Sequence, residues 1–292
     1  MSWRTVVVSR RSKLETKLNY LVIRDEKSET KIFLDEISVL LLETTEISLT
    51  CALLEELISR KVSIIICDHK RNPLSQIVSL HGSYDSSARI KSQIAWTDEL
   101  KQIMWTEIIK EKIRNQSLHL NKHGLEESKL LMEYYNQVEL GDVTNREGHA
   151  AKVYFNALWG KSFSRSQDNF TNAALNYGYS ILLSCVNREI TSLGYITQLG
   201  LFHDNVFNHF NLGCDLMEPW RPIIDYKVSL LIEKNEFEKE DKLELIGFLN
   251  EKVRIDSSLQ YVLNGIKIYC RSVFDAMDDG DISKIKFFRY EF

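Results

Sequence analysis

At about residue 86 the apolar residues of this chain change their period. From there to about residue 277 they recur roughly every 3.6 positions, whereas before it they fall in short runs of Val, Ile, Leu and Thr broken by polar residues. A chain divided in this way folds as a small β-sheet region followed by a larger all-helical one, an α+β architecture with domains at 1–82 and 83–292. Strands are expected at 3–9, 17–24, 31–34, 37–42, 62–67 and 76–80. One helix, at 50–60, interrupts them, with Leu53, Leu54, Leu57 and Ile58 at helical spacing, and Asn72-Pro73 marks a turn. Helices are then expected over 86–120, 125–139, 145–155, 171–190, 206–217, 222–234, 239–254 and 257–277. Gly82-Ser83 and Ser86-Ser87 supply the connection between the two regions.

Several classes are excluded. With 44% hydrophobic and 27% charged residues and only 3 prolines, the chain is not disordered. Its apolar runs at 39–42 and 64–67 fall far short of the roughly 18 residues that span a bilayer, and no basic-then-apolar leader opens it, so a cytoplasmic protein without membrane contact is expected. Five cysteines without a C-x-x-C pair suggest neither a disulfide framework nor a zinc ribbon. No glycine-rich phosphate turn and no Gly-x-Ser-x-Gly elbow occurs. Asp275-Ala276-Met277-Asp278-Asp279-Gly280-Asp281 resembles a calcium loop but has Met277 third and Lys286 twelfth, and reads as an acidic turn. His69, His81, His119, His123 and His209 lack zinc spacing, and the charges of 233–244 form a solvated face.

Three segments carry possible chemistry. Glu147, Ala151 and Tyr154 fall at i, i+4 and i+7, on one helix face. Thr144-x-x-Glu147 equally fits a capping box that closes the helix start. Gly200-Leu201-Phe202-His203 and Asp215-Leu216-Met217-Glu218-Pro219-Trp220-Arg221-Pro222 offer an imidazole and carboxylates that, meeting Glu147, would make a divalent-metal site. Glu218 precedes a proline, which biases it away from helical backbone, and such loop carboxylates are also often merely solvated. Asn172 and Asn176 form an i, i+4 pair beside Tyr177 and Gly178, where either a packed helix or a ligand approaches closely.

Taken in order, Glu147-Gly148-His149-Ala150-Ala151-Lys152-Val153-Tyr154-Phe155, Asn172-Ala173-Ala174-Leu175-Asn176-Tyr177-Gly178-Tyr179, Gly200-Leu201-Phe202-His203 and the 215–222 segment resemble the CRISPR-associated endonuclease/integrase family of the spacer-acquisition module, most closely its type II branch. The resemblance spans essentially the whole chain. It implies that Glu147, His203 and Glu218 hold Mg2+ or Mn2+, with Asp215 in support and Tyr177 near the reacting DNA. Arg146, Lys161, Arg165, Asn172, Asn176 and Arg221 are the implied DNA contacts, because 204–214 lacks the lysine or arginine that some relatives carry there. The implied reaction joins the 3′-hydroxyl of captured DNA to a phosphodiester of the CRISPR repeat, and with water as nucleophile the same site is a nuclease. A metal-dependent nuclease without joining, or a noncatalytic DNA scaffold, are the alternatives. Implied partners are double-stranded DNA, a second copy of the chain through the sheet region, a small dimeric second protein of the adaptation complex, and other type II CRISPR proteins including the effector nuclease. With a net charge of −4, DNA binding requires a concentrated basic track, for which the long helix bearing Lys101, Lys110, Lys112, Arg114 and Lys122 is a candidate.

Overall fold

A computed structural model of the chain describes residues 3–79, 83–231 and 236–292. Its first part holds β1 (Arg4–Val8), β2 (Ser12–Lys17), β3 (Tyr20–Arg24), β4 (Glu29–Phe33), β5 (Ile37–Leu42), β6 (Ile47–Leu49), α1 (Cys51–Ser59), β7 (Ser63–Cys67) and β8 (Pro73–Ile77). Helices follow: α2 (Ser86–Ala95), α3 (Asp98–Lys122), α4 (Glu127–Asn136), α5 (Arg146–Trp159), α6 (Phe170–Ser192), α7 (Asn211–Met217), α8 (Arg221–Leu230), α9 (Lys239–Ile246) and α10 (Val262–Asp279), with strands β9 (Lys252–Ile255) and β10 (Ser258–Tyr261) between the last two. The expected α+β division is the one observed. Gly82, His81 and Leu80, and the residues 232–234 expected to end a helix, lie outside the described residues.

Parallel strands covered on both faces read as unbroken apolar runs, and β5 and β7 are such strands. They sit in a four-stranded sheet of order β1-β5-β7-β8, in which only β8 runs antiparallel. Alternate side chains face two different cores. Leu40, Leu42 and Ile64 pack with Leu53 and Leu57 of α1 and with Leu14 and Leu21 of the second sheet, whose order is β4-β3-β2-β6. Val39, Leu41, Ile65 and Cys67 belong instead to the core of the helical region. If a second copy pairs through the sheet region, residues 37–42 offer it no surface: all six are buried within this chain, because its own elements cover both faces.

Other differences have local causes. The expected helix 86–120 is two, broken where Thr97 Oγ1 accepts the Leu100 N–H at 3.2 Å and caps α3. Residues 252–254 and 258–261, expected to be helical, belong to a hairpin of 252–255 with 258–261 turned by Asp256 (φ 50°) and Ser257 (φ 60°), both in the left-handed region. The acidic turn at 275–281 is mostly the last turn of α10, and Asp278 there accepts from Ser92, Trp96 and Tyr195 at 2.7, 3.2 and 2.6 Å. Gly178 is explained by packing, since a Cβ there would lie 2.5 Å from Ile224 Cγ2 of α8. No helix among the described residues is long and apolar enough to cross a membrane.

Candidate active site

Helix α3 runs through the middle of the helical region, and its buried face is not purely apolar: Lys112, Asn115 and His119 are buried among Ile108, Ile109, Ile113 and Leu120. Against it stands the start of α5. Asp142 accepts the N–H groups of Arg146 (2.8 Å) and Glu147 (3.0 Å), and Asn145, in the left-handed region, accepts from Gly148. The Thr144–Glu147 capping box is thus not formed, since Asp142 and Asn145 already satisfy the helix start. The Glu147 carboxylate is released from that duty and reaches the ammonium of Lys112.

Glu218 arrives from the other side. Proline follows it, yet its backbone is helical (φ −53°, ψ −46°), contrary to the expected bias away from helical backbone. Pro219 falls in the first turn of a short 3-10 helix joining α7 to α8, where a missing N–H is tolerated. Asn115 Nδ2 donates to the Pro219 carbonyl at 3.0 Å and fixes this turn to α3. Glu218 Oε2 is 2.6 Å from Lys112 Nζ, and Oε1 is 2.9 Å from Arg221 Nε. The Oε2 contact is off hydrogen-bonding angle, so that buried oxygen carries charge attraction but no hydrogen bond. Burial would raise the Glu218 pKa, but Arg221 and Lys112 outweigh it and hold the carboxyl below its ordinary value. Burial likewise opposes the charge on Lys112, and Glu218 and Glu147 reverse this, raising its pKa.

His203 is positioned through Asp215. This carboxylate, fully buried on α7, accepts the N–H groups of Leu201, Phe202 and His203 at 2.6, 3.1 and 3.2 Å and binds His203 Nδ1 at 2.5 Å. The turn needs Gly200, where a Cβ would lie 2.3 Å from the His203 carbonyl oxygen. The hydrogen bond to Asp215 is the main cause of a raised His203 pKa. Nε2 of His203 has no hydrogen-bond partner among the described residues.

The predicted DNA contacts divide into groups. Arg165 donates to Asn172 and, at 2.7 Å, to Asn176, so both amides hold a guanidinium. Arg165 and Arg221 stand 5.4 and 4.7 Å from the centroid of the Tyr179 ring, whose hydroxyl donates to buried Asp225. Arg146 lies over Tyr134, and Lys161 is exposed beyond the end of α5. Tyr177 is placed elsewhere. It is buried against Phe237 with Lys242 Nζ 5.3 Å from its ring centroid, on the side of α6 that meets the sheet. The reason is helical phase: Asn172, Asn176 and Tyr179 share a face at i, i+4 and i+7, and Tyr177 is about 100° away from Asn176. Sequence reasoning gives Tyr179 no role and places Lys112 on a basic track; the phase of α6 and the polar residues within the apolar period of α3 are the signals that point to their places here. The long helix is also not an open basic track. Lys112 is buried, and Lys101, Lys110 and Arg114 pair with Asp98, Glu107 and Glu111, leaving Lys122 exposed at its end.

Among the described residues no three His, Cys, Asp or Glu side chains are already arranged to hold a metal ion. The donor chemistry nevertheless suits one. Two carboxylates converge on a single positive charge, Lys112 Nζ, one of their buried oxygens lacks a hydrogen bond, and the nearby imidazole has Nδ1 fastened by a carboxylate with Nε2 uncommitted. Oxygen ligands with one imidazole, the latter oriented by an outer carboxylate, fit magnesium or manganese.

A small sheet region joined to a larger helical one is a fold shared with solved structures. The chain superimposes on a casposase bound to integration product with a TM-score of 0.78 at 17% identity, covering 96% of this chain and 91% of that one. A CAS1 protein from Thermotoga maritima gives 0.74 at 16% identity, over 94% and 97% of the two chains. In sequence, residues 5–256 match the family model of CRISPR associated protein Cas1. A CRISPR-associated endonuclease Cas1 of Neisseria meningitidis is 33% identical over 88% of this chain and 86% of its own, and one of Francisella tularensis subsp. novicida is 26% identical over 85% of each. The chain belongs to the Cas1 family.

Proposed function

We propose that this chain is a divalent-metal-dependent DNA nuclease and integrase of CRISPR adaptation, joining the 3′-hydroxyl ends of captured DNA to the CRISPR repeat. The observation that carries the reading is the convergence of Glu147 and Glu218 on one buried cation, beside an imidazole fastened by Asp215, in a chain of the Cas1 family. Magnesium or manganese held by Glu147, Glu218 and His203 supplies, when bound, a lowered pKa for the attacking hydroxyl and neutralisation of the phosphoryl oxygens. The residues of the chain do the rest. Asp215 holds the His203 ring in one orientation, and Asn115 holds the Glu218 turn. Arg221 and Arg165, stacked about Tyr179, present guanidinium charge to a phosphate, with Arg146 and Lys161 along the DNA path. One phosphodiester replaces another, so the reaction consumes no nucleotide.

The relatives support this, since the Neisseria protein is a CRISPR-associated endonuclease, and fold neighbours include a Cas6-RT-Cas1–Cas2 complex. Paired insertion at the two ends of a repeat needs two sites held apart, so the chain works as a homodimer bridged by a small dimeric second protein. The test offers a 3′-hydroxyl donor and a supercoiled repeat-bearing target, with that partner present, to wild type and to Glu147→Ala, His203→Ala and Glu218→Gln. Joining is expected to fall at least about 100-fold in each variant. Melting should stay within a few degrees of wild type. Joining by any folded variant at the wild-type rate overturns the assignment, and hydrolysis without joining by wild type replaces it with a nuclease.

A further inference from the structure

The loop that carries His203 presents apolar side chains to solvent where a DNA-binding site would be expected to present lysines. Residues 204–214 contain one carboxylate and neither lysine nor arginine. Phe202, Val206 and Phe207 are 56%, 87% and 88% exposed. The loop is nonetheless well fixed. Asp215 holds its first three N–H groups, Asn211 Nδ2 donates to the carbonyls of Gln198 and Asn205 at 3.1 Å each, and Asn205 and Asn208 accept from Phe207 and Phe210 at 2.9 and 3.0 Å. Its amides are engaged in its own turns, so the aromatic and aliphatic groups are what it offers.

One of these is already half of a stack. The Phe202 ring lies parallel to the indole of Trp105, centroids 4.4 Å apart and planes within 1°. Trp105 is buried on α3, seven residues before Lys112, and both rings meet the edge of His203, at 5.7 and 5.9 Å. A phenyl ring backed by indole on one side and exposed on the other is a platform for a third flat ring. Because Phe202 adjoins His203 in the chain, a phosphate attacked at His203 would lie within about one nucleotide of that ring.

We infer that Phe202, supported by Trp105, stacks on the nucleobase flanking the phosphodiester that is attacked, with Phe207 and Val206 covering the outer side of the same nucleotide. This rests on the DNA-joining reading above and adds a base-binding subsite to it. An aromatic loop without lysine or arginine explains how the site does without a basic residue between His203 and Asp215: the loop grips the base, and Arg221 and Arg165 take the phosphate. Stacking on any base is favourable, so the subsite tolerates sequence while fixing distance.

The experiment places 2-aminopurine at the nucleotide flanking the joining position and follows its fluorescence on binding to the full chain. Wild type quenches it, Phe202→Leu does not, and Phe202→Tyr restores the quenching. Phe202→Leu also raises the half-saturating DNA concentration about tenfold or more, while the melting temperature falls by a few degrees at most, since the lost stack on Trp105 contributes only about 1 kcal/mol. DNA bound and joined without quenching by wild type, or equal affinity of Phe202→Leu and wild type, overturns the inference and leaves the functional reading intact. Loss of self-association or of partner binding in Phe202→Leu, with the fluorescence signal unchanged, overturns it in favour of a protein contact. A wild-type chain that binds no DNA sinks the functional reading itself.

Discussion

His119 illustrates how a residue without metal spacing is put to structural use. It is fully buried, with Nδ1 2.6 Å from the Tyr154 hydroxyl and Nε2 3.3 Å from Ser229 Oγ, and its ring stacks on Phe292. Burial, and then the neighbouring His123, push its pKa down to about 3. The unfolded chain takes up that proton near pH 6.5, the folded chain only near pH 3, so stability is present above about pH 6.5 and is lost as pH falls between the two values. Urea unfolding at pH 7 and pH 5 is expected to show wild type losing about 2 kcal/mol more than His119→Gln does over the same interval. Equal losses would place the proton elsewhere. Residues of this kind are hard to read in a sequence because burial decides their role. Tyr177 and Tyr179 make the same point: two positions apart, they face the sheet and the arginines respectively, and only the rotation of α6 separates them.

Elements were legible where local chemistry agreed with the tertiary setting. The helix at 50–60 appears as α1, capped by Thr50 on Leu53 N–H, and β5 and β7 appear from their apolar runs. The hairpin of β9 and β10 was not legible, since four-residue strands leave no period to distinguish from helix. The α5 cap was misread because two candidate caps lay within six residues and only the fold selects between them. At Gly178 the element scale yields a prediction. Gly178→Ala should raise helix propensity by about 1 kcal/mol but destabilise overall by about 1–3 kcal/mol, since its Cβ would meet Ile224 Cγ2 at 2.5 Å. Combined with Ile224→Ala, which removes that methyl, the cost should fall well below the sum of the single changes in denaturant melts. Simple additivity would mean α6 and α8 separate without strain.

Across the whole molecule, the sheet and helical regions are joined more tightly than their different periodicities suggest. Val39, Leu41, Ile65 and Cys67 contribute to the helical core, and Lys242 of α9 donates to the carbonyls of Lys70 and Arg71 and to Asn72 Oδ1 at 2.9, 3.2 and 3.2 Å. One unfolding transition is therefore expected, coincident by tryptophan fluorescence and far-ultraviolet circular dichroism, and Lys242→Met should speed amide exchange at residues 68–72 by at least tenfold. Two separated transitions would contradict the shared core. The sequence boundary at residue 82 marks a change of secondary structure, which is visible as a period, whereas the shared core depends on which chain segments meet and has no local signature. Lys112 carries a consequence for the order of events in the cell. It precedes Glu147 by 35 residues, so the ribosome delivers the counter-charge before either carboxylate it will neutralise. The chain can close around Glu147 and Glu218 with no metal in attendance, unlike small zinc domains whose folding waits for their ion. On the metal-dependent reading proposed above, a cell short of manganese or magnesium would still accumulate the folded protein, held in reserve until the ion returns.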